Sequence, residues 1–122
     1  MKIRDFYDRT GGDFAGAMQR LMKEDRLEKY VRMFLNDTSY GELESCLARN
    51  DVPGAFRAVH TLKGVCLNLS FTRLYESVNA ATEALRYAEA DSEKDMAQVT
   101  ACMQLLRRDY SEVTEAIRSL DS

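Results

Sequence analysis

The sequence predicts an all-α fold, an antiparallel four-helix bundle with an additional N-terminal helical segment. Three observations carry this. Apolar residues recur at spacings of three and four, not two, along the chain. The only proline is Pro53, so no other stretch meets that helix breaker. Several amphipathic stripes are separated by polar breaks of a few residues; each stripe must bury against another, and short connections make neighbours antiparallel.

Residues 1 to 12 read as a loosely ordered lead-in that ends at the "TGG" break. A short helix then starts from Asp13, with Phe14, Ala17, Met18 and Leu21 on one side and Gly16 weakening it. Leu27, Tyr30, Val31, Phe34 and Leu35 form a single stripe ending near "NDTS". Ser39 followed by Glu42 has the spacing of a capping box, opening a helix that carries Leu43 and Leu47 to about Arg49. Asp51 or Val52 stands before Pro53, which is tolerated in a first turn because its missing N–H has no partner there. That helix starts near residue 53 and runs to a turn at residues 68 to 70. Phe71, Leu74, Val78, Ala81 and Leu85, with Tyr75 beside them, define the next helix, ending around Glu89. Ser92 caps a last, long helix whose seam is Met96, Val99, Met103, Leu106, Tyr110, Val113, Ile117 and Leu120.

The chain of 122 residues, 45% hydrophobic and 30% charged, supports one domain over residues 1 to 122 with a single core. A net charge of −3 offers no basic footprint for nucleic acid. "MKIRDFYDRTGGDF" has charges where a leader would be apolar, and no apolar run approaches a membrane span. A cytoplasmic protein without membrane or nucleic-acid partners is expected. Cys46, Cys66 and Cys102 are odd in number and embedded in apolar patterns, the usage of buried free thiols.

The helix after Pro53 carries the only histidine, His60. A wheel at about 100° per residue gathers Ala55, Ala58, Val59, Leu62, Cys66 and Leu69 on one side. Opposite them fall Phe56, His60, Lys63, Gly64 and Leu67, with Arg57 at the edge. A glycine in a helix interior costs about 1 kcal/mol relative to alanine, so Gly64 suggests that one flank of the imidazole must stay bare. Lys63 brings an ammonium to the same face, and Phe56 and Leu67 make an exposed apolar frame suited to docking. Imidazole ordinarily titrates between pH 5 and 8, so a solvent-facing ring offers a neutral nitrogen nucleophile at pH 7, and a neighbouring lysine would stabilise a phosphoryl group on it.

With these residues the chain resembles the histidine-containing phosphotransfer (HPt) domains of two-component phosphorelays. The resemblance rests on "AVHTLKG" at residues 58 to 64, the preceding "LESCLARNDVPGAFR" and the following "NLSFTRLYESVNAATEAL". It implies a monomeric bundle, with no kinase activity of its own, that accepts a phosphoryl group from a receiver-domain aspartate and passes it to another receiver. A hybrid histidine kinase then stands upstream. His60 would be the phosphorylated residue, at Nε2; Lys63 and, from the next helix, Arg86 would supply positive charge; Gly64 would give the receiver access. Family members often have a glycine where this chain has Ser70, and a glutamine facing the imidazole where it has Thr82. Thr82, or Asn79 one turn earlier, is thus the candidate for orienting the ring. Magnesium belongs to the receiver in this family, and no cofactor is expected on this chain.

Three rival readings set the contrast. A bundle of the same shape that has lost relay activity would act only as an interaction module. A metal or haem protein lacks a second histidine, and Cys66 lies on the core side. An enzyme using His60 as a general base needs a pocket with a partner for the ring.

Overall fold

The computed structural model describes residues 1 to 121. In chain order the helices are α1 (Ile3–Thr10), α2 (Phe14–Leu21), α3 (Glu24–Met33, continued by a 3-10 turn at Phe34–Asn36), α4 (Ser39–Ala48), α5 (Val52–Asn68), α6 (Thr72–Arg86) and α7 (Glu93–Arg118). The all-helical bundle expected from the periodicity is present. Helices α4 to α7 form it, each packed on the next. The last helix returns to the first: Tyr40 of α4 and Tyr110 of α7 stack with centroids 3.8 Å apart, and Arg107 makes a two-point ion pair with Glu44, both bonds 2.8 Å. Arg107 holds the Glu44 carboxyl below the usual carboxylate range, while burial and Glu44 push the Tyr40 hydroxyl upward. On the α6–α7 side, Ser77 donates to the buried carboxylate of Asp109.

Three helix starts follow the chemistry of their cap residues. Asp13, Asp51 and Ser92 each accept from the backbone N–H three residues on, at 3.0, 3.0 and 3.2 Å, pairing donors that would otherwise be orphaned. The capping box expected at Ser39 and Glu42 does not form. Ser39 lies inside the first turn and is buried, and its own N–H donates to Asp37 Oδ2 at 3.0 Å. Asp37 thereby takes the N–H that the box would have given to Glu42, and the Thr38 hydroxyl donates to Glu42 at 3.4 Å instead. Helix α6 stops at Arg86, short of Glu89, because Tyr87 is 87% exposed and supplies nothing to bury.

The lead-in expected over residues 1 to 12 is corrected: Ile3–Thr10 is a helix, and Phe6 and Tyr7 are fully buried. Ile3, Phe6, Tyr7 and Thr10 make a short stripe between charged residues. Gly11, at φ +70°, closes the helix in the left-handed region. The α1 aromatics join Phe34 and Phe71 in one cluster: Phe71 lies 5.6 Å from Phe6, 5.9 Å from Tyr7 and 5.2 Å from Phe34. Tyr7 also donates its hydroxyl to the Leu69 carbonyl at 2.6 Å, which ties α1 to the end of α5. In the α3 stripe only Leu27, Val31 and Phe34 are buried; Tyr30 and Leu35 stay exposed, with Tyr30 on an open groove beside Met33 and Val65. Cys46 and Cys66 are buried and Cys102 half-buried, all as free thiols, and burial pushes Cys66 up to about 12.

Two substitutions test how the α5–α6 turn is held. Tyr7→Phe leaves the buried Leu69 carbonyl without its donor and is expected to lower unfolding free energy by about 1–3 kcal/mol. Ser70 has φ +56°, so Ser70→Gly is expected to raise stability by about 0.5–1 kcal/mol. Urea titrations of the two variants give both signs directly.

Candidate functional site

Helix α5 owes its position to one apolar side and two fastened ends. Ala55, Ala58, Val59, Leu62, Cys66 and Leu69 are all buried, as the wheel required. Asp51 caps the start, Tyr7 holds the Leu69 carbonyl, and Arg20 of α2 donates to the Leu67 carbonyl. The opposite side is left to solvent. His60, Gly64 and Arg57 are exposed, Leu67 is 50% exposed, and Phe56 and Lys63 are half-buried.

Helix α6 contributes the partner of this face. The Arg86 guanidinium lies 5.1 Å from the centroid of the Phe56 ring, and that ring is 6.0 Å from the His60 imidazole with planes 43° apart. The Phe56 ring therefore has the α6 cation and the α5 imidazole as its neighbours. Arg86 is itself fastened by Glu83, with Nε to Oε2 and Nη2 to Oε1 both 3.1 Å. Arg86 first, and Lys63 in addition, hold the Glu83 carboxyl below the usual carboxylate range; Glu83 in turn raises the Arg86 guanidinium. Among the described residues Lys63 makes no ion pair and His60 no hydrogen bond, so the ammonium and both ring nitrogens are available to an incoming group.

Gly64 is the informative position. A Cβ built there would meet nothing within 4 Å, so the fold itself does not need the missing side chain. Gly41 is equally open, but it stands in the first turn of α4, where a glycine is less costly than in a helix interior.

The predicted residues His60, Lys63, Gly64, Phe56, Leu67 and Arg86 are brought to one surface. Arg57 stands at its edge, lining the cleft between α4 and α5 with Thr61 and Asp51. Thr82 is a correction. It is fully buried, and its hydroxyl donates to the Val78 carbonyl at 2.8 Å, so it faces the core and cannot orient the imidazole. Asn79 is half-buried and makes no hydrogen bond to His60 among the described residues. Glu83 was not anticipated; its signal was the three-residue spacing to Arg86 on an exposed helix face. Among the described residues no group of acidic, cysteine and histidine side chains is placed to hold a metal ion, and no helix is long and apolar enough to cross a membrane.

A protein-family model described as "Hpt domain" matches residues 29–113, most of the chain from the middle of α3 into α7. No curated protein and no solved structure matches significantly.

If Thr82 serves the core alone, Thr82→Val keeps the shape and removes only a hydroxyl bonded within its own helix. Phosphoryl transfer to the His60 expected from the sequence should then keep the wild-type rate, with unfolding free energy lowered by about 0.5–1.5 kcal/mol for the lost hydroxyl bond. Phosphotransfer time courses and urea melts check the two halves.

Proposed function

We propose, from the premise that this chain belongs to the Hpt domain family, that His60 is its phosphoryl carrier. The family's role is phosphotransfer in two-component relays. In the finer reading His60 accepts the group from a receiver-domain aspartate and hands it to a second receiver, with a hybrid histidine kinase upstream. The observation that carries this reading is the conjunction of an exposed, unpartnered imidazole with an open Gly64 one turn further along the same face. Only an approaching surface gains from that vacancy.

The chemistry asks little of this chain. The Nε2 lone pair forms the N–P bond as the P–O bond to the receiver aspartate breaks, and that bonding pair leaves with the carboxylate. Such a transfer proceeds through a loose, in-line transition state, where positioning and charge neutralisation supply most of the catalysis. Lys63, three residues on along the same helix face, would meet the phosphoryl oxygens, and Arg86, against the Phe56 ring that neighbours the imidazole, would add a second cation. Phe56 and Leu67 offer apolar contact around the ring, and Arg57 a cation at the rim. The remaining catalytic parts, including magnesium, belong to the receiver. The return step to the second receiver reverses the same bond changes. A cytoplasmic monomer accords with this role.

The decisive experiment is transfer from a prephosphorylated receiver, read as label on the chain that is lost in acid and kept in base. His60→Gln is expected to carry none. Gly64→Ala adds a side chain where nothing opposes it and is expected to gain about 1 kcal/mol of stability. Gly64→Gln stays folded but obstructs the approach, and its transfer rate is expected to fall about tenfold or more. A folded wild-type chain that takes no label from a broad receiver panel would leave an interaction module without relay activity.

A further inference from the structure

On the reading that His60 carries a phosphoryl group, we propose that Glu83 is a positioning residue: it restrains Arg86 and thereby limits how long the group stays on His60. The Glu83 carboxylate takes two guanidinium donors, Nε and Nη2, each at 3.1 Å, while the central carbon of the same guanidinium lies over the Phe56 ring, 5.1 Å from its centroid. Phe56 is the ring that neighbours the imidazole, at 6.0 Å. Arg86 thus rests against the ring beside the imidazole, with two of its donors held by a carboxylate.

A phosphoryl group on His60 introduces a second, stronger acceptor for those donors. Two of the five guanidinium N–H donors, those of its Nε–Nη2 edge, are held by Glu83, so this two-point edge is open to the phosphoryl oxygens only when Arg86 loosens from Glu83. Lys63 also helps hold the Glu83 carboxyl low but makes no ion pair with it, so the restraint by Glu83 falls on Arg86. Among the described residues no backbone carbonyl holds the Arg86 guanidinium, so Glu83 is the hydrogen-bonding group that fixes it against Phe56.

The lifetime in question is that of the N–P bond against water. A water oxygen bonds to phosphorus, the N–P pair returns to Nε2, one water proton stays on the phosphate and the other goes to the imidazole. Cations on the phosphoryl oxygens keep the dianion on the protein, so releasing Arg86 from Glu83 extends the lifetime and removing Arg86 shortens it.

His60 is the only histidine in the chain, so phosphoramidate, a small N–P donor, labels one site without a receiver, and ³¹P NMR follows the decay. Glu83→Gln is expected to lengthen the half-life about two- to fivefold, the range an exposed ion pair allows. Arg86→Ala is expected to shorten it, the double variant to match Arg86→Ala, and Glu83→Asp to return toward wild type. An unchanged or shorter half-life in Glu83→Gln overturns the proposal. So does an equal lengthening in the Arg86→Ala background, which would mean that Glu83 acts by direct repulsion. A chain that takes label from phosphoramidate but from no receiver defeats the relay reading, whereas receiver labelling with unaltered decay in Glu83→Gln defeats only the role of Glu83.

Discussion

A helix can leave one whole face bare only if everything else about it is fixed, and that constraint organises this molecule. The apolar side of α5 sits in the bundle core, Asp51 closes its first turn, and its last carbonyls are taken by Tyr7 and Arg20 from α1 and α2. Without the last two, the Leu69 carbonyl would lose its donor and the Leu67 carbonyl would keep only the Ser70 N–H, leaving the turn into α6 with fewer ties, among them the Phe71 N–H on the Cys66 carbonyl. Ser70 adopts a left-handed φ there, and its carbonyl accepts from the Asp13 N–H at 2.9 Å. The N-terminal helices therefore act as the clasp of the histidine helix. Phe71, the residue after the strained one, anchors that clasp by gathering Phe6, Tyr7 and Phe34 around its ring.

The electrostatics of the exposed face follow from which side chains are fastened and which are free. Arg86 has a carboxylate partner and an aromatic rest; Lys63 has neither and stands next to the imidazole. Charges this exposed interact weakly through water. Their effect grows when another surface covers them and lowers the local dielectric. A site built this way is mild when open and stronger when covered, which suits a carrier that must release its cargo to the next partner.

The bundle and the face of α5 were legible because each is written in local spacing: a stripe at threes and fours, a glycine in a helix interior; of Asp51 and Val52 ahead of Pro53, the cap proved to be Asp51. What escaped depends on contacts distant in sequence. Ile3, Phe6 and Tyr7 form a stripe too short and too interrupted by charge to stand out, and it folds because Phe34 and Phe71 receive it. Thr82 reads as a polar residue opposite the histidine, yet it is core, because a threonine hydroxyl can be satisfied by the carbonyl four residues back and then buries like a valine. Ser39 misled for a related reason: the spacing to Glu42 was right, but Asp37 took the N–H. Ser70 stands where the resemblance leads one to expect a glycine, and it adopts a left-handed φ of +56° at the cost of some strain.

The shape around His60 bears on the rival reading of a self-contained enzyme. Clefts lie between α4 and α5, beside α1 and α3, and along α3 and the end of α5. His60 lines none of these. A general base acting alone would need walls to orient a small substrate and exclude water, and the ring here has one aromatic neighbour and open space beyond Gly64. The same openness is what a nucleophile needs when its substrate is a phosphorylated aspartate on another protein, since that protein brings the walls. An exposed ring outside these clefts accords with the proposed transfer, in which the walls come from the second protein.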